Sequence, residues 1–398
     1  MPIVFIHGVN NRAEDENYTQ GVNSKREFFR SIFAPQMKMS VEPQNVIFPY
    51  WGGSGVKFRW KQASLPQASD DVVALGTNDA NLNLWLGEVR FQQGSNTVNL
   101  GEVSRKDGFV AAIDLFWDTA SIATPSDRVH EIAKCYEASL KYAETDPAPA
   151  WALSTPSLDN AAFAQKLLAE IAPYQRNNAE TPVAVALGLG DWLASAREAI
   201  HRLGNAPSDA VSAALTKLGR KYAHEGASRF LGDIFIYLTT RDQTGSSSIL
   251  ADVMEKLREA NATRTADDDK LVVVGHSLGG LLAYDVLTHY LPNIKVDYFV
   301  TVGSQVALFE EMTLCKTSQH GVPNNPPSDR LTKPSNVGRW INVYDTNDIF
   351  SFRAEGVFLD VEDYKFDTGY GLLGAHGGYF LSPSFYRRLA KRIMGKKG

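Results

Sequence analysis

Six residues, Gly275-His276-Ser277-Leu278-Gly279-Gly280, carry the strongest chemical signal in the chain. A serine between glycines suits a sharp strand-to-helix turn that presents its hydroxyl as a nucleophile. Such a turn strains the serine backbone, so its neighbours must be small, and Gly275, Gly279 and Gly280 meet that demand. The G-x-S-x-G pattern alone arises by chance in about one chain in ten of this length. Its surroundings give it weight. "KLVVVG" before it reads as a buried strand and "LLAYDVLTHYL" after it as a helix.

A serine hydroxyl needs a base within hydrogen-bond reach and a third group to orient that base. Behind such an elbow the acid comes next in the chain and the histidine last. His289, His320 and His376 follow Ser277. His289 falls about three turns along the elbow's own helix, pointing away from the turn, and His320 precedes the next strand, out of order. His376, in "GAHGGYF", follows the last strand candidate, and its flanking glycines predict a loop that carries it over the sheet edge. The acid is expected after "RWINVYD", where Asp345 and Asp348 both qualify. Asp345 sits at the strand end, where an aspartate commonly caps a turn. Asp348 is therefore the first choice and Asp345 the alternative, with Asp360, Asp363 and Asp367 outside the expected place.

A tetrahedral oxyanion needs two N–H donors. Leu278, directly after the nucleophile, offers one. "IVFIHGVNN" offers the other, a buried strand ending in His7-Gly8 with the Val9 N–H free to point inward.

The strand ending in His-Gly, the GHSLGG elbow, the aspartate of "NDIF" and the histidine of "AHGGY" together resemble the α/β-hydrolase superfamily. The likeness is to its lipase and serine-esterase branch, including hydrolases similar to the GPI-inositol deacylase group, and it covers about residues 1–50 and 231–398. It implies Ser277 as nucleophile, His376 as base, Asp348 as acid and Val9 and Leu278 as oxyanion donors, supported by His7, Gly8, Gly275, His276 and Gly279. It also implies hydrolysis of a carboxylic ester, lipidic in at least one chain, through an acyl-serine intermediate and without metal or cofactor. Two departures stand out. The strands usual before the His-Gly strand are absent, and "NDIF" lacks the proline of the commoner D-P-V form. The same triad would also serve acyl transfer or cleavage of a thioester or amide. A non-catalytic interaction protein keeping the fold is a further alternative.

Holding these residues together takes a sheet. Short continuous apolar runs, the pattern of buried parallel strands, occur at 3–6, 45–51, 270–275, 296–303 and 339–345, with a weaker one at 357–361. Helical patterns at 24–33 and 247–260 separate several of them. The alternation predicts an α/β-hydrolase fold with a mostly parallel central sheet and helices on both faces, built from 1–51 and 228–398. Residues 52–227 contain no convincing buried strand and read as a helical cap insertion. Trp51, Trp60, Trp85 and Leu86 are cap packing first and acyl-pocket lining second, and "AVALGLGDWLASA" is a buried helix before it is a lid. The final segment, "SPSFYRRLAKRIMGKKG", places Phe385, Leu389 and Ile393 on one helical face, with Ser382 suited to the N-cap. Its Lys and Arg residues from Arg387 onward complement the helix dipole. Transient contact with an anionic membrane surface is a secondary expectation.

A net charge of −5 over 398 residues argues against a general nucleic-acid binder. The two cysteines, Cys135 and Cys315, have neither the spacing of a zinc or redox site nor the density of a disulfide scaffold. "MPIVFIHG" reads as a strand and not a signal peptide, and no stretch approaches the ~20 apolar residues of a membrane span. A soluble, cytoplasmic protein is expected.

Overall fold

The computed structural model describes residues 1–15, 18–63, 99–123, 129–155, 157–175, 227–265, 269–369 and 372–395. Two compact units emerge. One joins Met1–Tyr18, Gln44–Arg90 and Pro207–His376; the other joins Thr19–Pro43, Phe91–Ala206 and Gly377–Gly398. These bounds differ from the expected division at 51 and 228. The segments Thr19–Pro43 and Gly377–Gly398 group with the helices of the middle of the chain.

Eight strands occur among the described residues: β1 (Ile3–Ile6), β2 (Val46–Ile47), β3 (Val272–His276), β4 (Val296–Val302), β5 (Leu331–Thr332), β6 (Val337–Tyr344), β7 (Phe358–Leu359) and β8 (Val361–Lys365). Six form one sheet in the order β2-β1-β3-β4-β6-β8, and every pairing in it is parallel. The centre of the sheet is the most apolar part: β1 and the three valines of β3 are fully buried. Burying each such side chain contributes about 1.5–3 kcal/mol before chain entropy is counted. Helix Ser248–Ala262 adds Ile249, Leu250, Val253, Leu257 and Ala260 to the same core.

Parallel strands place all their carboxyl ends on one edge, where ligand sites of open α/β sheets form. Gly8, Ser277, Asp348 and His376 follow the ends of β1, β3, β6 and β8 respectively.

Three expected elements come out differently. The run 45–51 yields only the two-residue β2. The helix expected at 24–33 starts at Tyr18 and changes to a π-helical turn over Phe29–Phe33. The run 357–361 is broken by Asp360, whose φ of 59° ends one strand and starts another. Its first half pairs with β5, and the edge strand β8 begins at Val361. β8 reads "VEDYK", half-exposed and charged, so it lacks the apolar run that marks an interior strand.

In the second unit, the last helix (Pro383–Ile393) buries Phe385, Leu389 and Ile393 as its spacing implies. The Tyr386 ring packs against Phe28 and Phe29 at 5.2 and 5.0 Å. Ser382 holds the N-cap position but makes no side-chain cap. The service comes from Asp118, whose carboxylate accepts from Ser384 N at 3.0 Å and Ser384 Oγ at 2.6 Å. Arg387, first of the basic series, turns inward to the Asp114 carboxylate and the Tyr136 hydroxyl, and Arg388 also reaches Asp114 at 3.0 Å. Those two cations are engaged inside the unit.

Burial and the neighbouring Asp114 charge push the Asp118 carboxyl up to about 7, against the Ser384 hydrogen bonds and Arg388. In the unfolded chain the group ionises near pH 4. Between roughly pH 4 and this raised value the folded protein therefore holds a proton that the unfolded chain has lost, and stability falls as pH rises through that window. Asp118→Asn is expected to match wild type near pH 4 and to melt several degrees higher from pH 7 upward. Thermal midpoints of both chains across this range test it, and a difference that does not widen with pH refutes it.

No helix among the described residues is long and apolar enough to cross a membrane. Trp51 is buried and Trp60 exposed, whereas Trp85, Leu86 and the 184–196 stretch lie outside the described residues.

Candidate active site

β3 runs in register with β4 up to His276, opposite Val302. Ser277 N–H continues the ladder to Val302 O at 3.0 Å, and the chain then turns. At the turn Ser277 has φ 55° and ψ −129°, a conformation costing a side-chain-bearing residue about 1–3 kcal/mol. Two bonds to its carbonyl hold it there, from Gly280 N at 2.9 Å and Ser304 Oγ at 3.0 Å. The elbow helix, Leu278–Asp285, is buried along its whole length.

The glycines make the turn possible. A Cβ on Gly279 would lie 2.2 Å from Ile6 O and 2.6 Å from His7 O, so only glycine lets the helix press against the end of β1. Gly275 stands against the Gly280 backbone in the same way. A Cβ on Gly8 would lie 2.5 Å from Ser277 Cβ and 3.1 Å from its hydroxyl oxygen, which puts the backbone after β1 directly beside Ser277. The Val9 N–H has no hydrogen-bond partner among the described residues. Leu278 opens the elbow helix, where an N–H has no intrahelical acceptor.

His376 lies on a short helix, Leu372–Gly378, and not in the glycine loop the sequence suggested. Ala375 is fully buried, and the His376 carbonyl accepts from His276 Nε2 at 2.7 Å. Together they pin the turn inward. The two histidine rings lie 4.9 Å apart. His276, the residue before Ser277, thus ties the end of β3 to the backbone of His376. The His376 Nδ1 faces both oxygens of Asp348, at 3.0 and 2.9 Å, and the Asp348 side chain is wholly buried. Its Oδ1 also accepts from Phe350 N at 2.9 Å. With Nδ1 donating to the carboxylate, Nε2 is the nitrogen left to accept a proton. His376 Nε2 and Ser277 Oγ are both buried, and neither has a hydrogen-bond partner among the described residues. The two are therefore not bonded to each other in this state; such contacts are often long before substrate arrives and tighten with it. The rings of Phe350 and Phe230 meet His376 edge-on at 5.3 and 6.4 Å and screen the imidazole–carboxylate pair from water.

Asp345 is occupied elsewhere. Its Oδ1 accepts from Asn347 N at 2.9 Å, and its Oδ2 accepts from Thr368 N and Oγ1 at 2.8 and 2.7 Å. It closes the turn after β6 and ties it to the chain beyond β8. His7 is a packing residue. Its Nδ1 meets Gly8 O at 2.8 Å, its Nε2 accepts from Trp51 N at 3.3 Å, and its ring stacks on the Trp51 indole at 4.8 Å.

Several contributors were not singled out from the sequence. Ser304 and Gln305, after β4, connect the elbow to the acid loop: Ser304 O accepts from Phe352 N at 3.1 Å, and the Gln305 amide donates to Phe350 O. Arg12 and Asp233 form a buried ion pair at 2.7 Å. The run Asn-Asn-Arg, one residue beyond the His-Gly pair, was the available clue to Arg12. Asp233 has none, since its partners lie more than 170 residues away.

No known family model, curated protein or solved structure matches this chain.

Proposed function

We propose that this chain is a serine hydrolase of the α/β-hydrolase type, cleaving carboxylic esters that carry a lipidic chain. The observation that carries the reading is the convergence at one sheet edge of a strained, buried Ser277 and a His376 already oriented by Asp348 at 2.9 Å. His376 Nε2 takes the Ser277 proton as the oxygen attacks the ester carbonyl carbon. The carbonyl oxygen becomes an oxyanion received by the Val9 and Leu278 N–H groups. Collapse breaks the ester C–O bond, and the imidazolium gives its proton to the departing alcohol. Water, deprotonated by the same imidazole, then attacks the acyl-serine and releases the acid with a second proton return. The fixed imidazole and the helix start supply the proton transfers and the oxyanion contacts of this chemistry, with water as the second nucleophile.

A fluorophosphonate probe tests the proposal. It is expected to add one phosphonyl group to the intact chain, on the peptide containing Ser277, and to abolish turnover of nitrophenyl esters. A folded chain that is neither labelled nor active on esters of short or long acyl chains sinks it.

A further inference from the structure

Helix 227–240 and the residue that follows it carry three polar anchors on successive turns, Asp233, Tyr237 and Arg241. Asp233 is wholly buried, and its carboxylate accepts four bonds: from Asn10 N at 3.0 Å, Arg12 Nη1 at 3.2 Å, Arg12 Nη2 at 2.7 Å and Val56 N at 2.8 Å. One turn on, the Tyr237 hydroxyl donates to Asp285 Oδ2, and the Arg241 guanidinium reaches the same oxygen at 2.8 Å. Asp285 is the last residue of the elbow helix. The helix therefore grips the two segments that bear the candidate oxyanion donors, the loop after β1 with Val9 and the helix that Leu278 opens.

The grip on the β1 loop is the more consequential. Asn10 has φ 58°, a left-handed conformation that asparagine tolerates better than most residues. Its N–H, one peptide beyond Val9, is fixed by Asp233, and its side-chain oxygen accepts from Arg229 of the same helix at 3.3 Å. The Asn11 amide turns back to the Gly8 and Val9 carbonyls at 3.1 and 2.9 Å. Rotation of the Gly8–Val9 peptide, which sets where the Val9 N–H points, would break these contacts in turn. The carbonyl of that peptide, Gly8 O, is also met by His7 Nδ1 at 2.8 Å, while Asp233 is the acceptor that holds the Asn10 N–H on its far side.

We propose that Asp233, with Arg12 as its counter-ion, is a positioning residue for the oxyanion donor Val9, acting on transition-state stabilisation and not on substrate binding. This rests on the ester-hydrolase reading. The expected signature is a lower kcat at nearly constant KM, since an oxyanion donor acts on charge that develops only in the transition state. The carbonyl oxygen is the atom at stake, so the effect must depend on it. Replacing that oxygen with sulfur, larger and a weaker acceptor, already forfeits part of the donor interaction, and losing the donor's alignment then costs the thiono substrate less.

The test compares wild type, Asp233→Asn and Arg12→Lys on a nitrophenyl ester and the matching thionoester, with folding followed by circular dichroism. Asp233→Asn is expected to lower kcat on the oxygen ester about 10- to 100-fold and to shrink the oxygen-to-sulfur rate ratio. Arg12→Lys, which leaves the Asp233–Asn10 bond in place, should move both quantities in the same direction by less, and reports if Asp233→Asn fails to fold. Asp297→Asn removes a carboxylate at the opposite end of the sheet, where it serves Leu271 N, Arg264 and Lys270. It is expected to leave the ratio unchanged. Folded variants with a wild-type ratio overturn the proposal alone. A wild type without Ser277-dependent turnover overturns the hydrolase reading and this proposal together.

Discussion

Replacing Ser277 with alanine is expected to cut ester turnover by about 10⁶-fold while leaving the protein as stable as wild type or more so. Both halves come from one geometry. The hydroxyl is buried with no partner among the described residues, and an unsatisfied buried hydroxyl costs about 1–3 kcal/mol. Ser277→Gly goes further, since it also relieves the φ of 55°. That strain relief, about 1–3 kcal/mol, outweighs the roughly 1 kcal/mol of added chain entropy in the unfolded state. Melting curves should rank glycine above alanine and alanine at or above serine, in the reverse of their activities. Turnover retained in Ser277→Ala, or a midpoint for Ser277→Gly well below wild type, contradicts the assignment.

The second large effect separates two aspartates three residues apart. Asp348→Asn presents an amide where His376 Nδ1 needs an acceptor, which favours the wrong imidazole tautomer. A loss of about 10⁴ in kcat is expected with the fold intact. Asp345→Asn removes the acceptor of two Thr368 bonds and is expected to destabilise by about 1–3 kcal/mol. Its turnover should stay within a few-fold of wild type below the melting range. Parallel kcat and denaturant measurements on both variants decide the matter. The opposite pattern, with Asp345→Asn inactive and Asp348→Asn merely unstable, would make Asp345 the acid.

The parts of the site legible in the sequence are those governed by local rules. Three valines before a glycine announce β3 because an interior strand needs apolar side chains on both faces. The small residues of the elbow announce a turn because nothing larger fits beneath Ile6 O. Chain order singles out His376, whereas the helix it lies on is not expected from the sequence. "GAHGGY" is glycine-rich and helix-poor by propensity, and the burial of Ala375 and the bond from His276 overrule that preference. What stayed hidden depends on distant partners. The turn-cap argument alone favours Asp348 over Asp345; the partners that separate them, Thr368 for Asp345 and His376 for Asp348, are distant in the chain. A basic terminal helix suggests an outward-facing surface until Asp114 is found beside Arg387. The ion pair of Arg12 with Asp233 joins residues that share no motif.

The pairing of Ile3 with Val272 inside the sheet constrains the order of events during synthesis. β1 is a fully apolar segment that leaves the ribosome before β3, the neighbour that completes it, which follows roughly 270 residues later. Contacts this far apart along the chain fold slowly and leave sticky segments uncovered meanwhile, so newly made molecules should lean on chaperones. Until β3 slots between its neighbours there is no elbow, so the activity proposed for Ser277 requires the completed sheet.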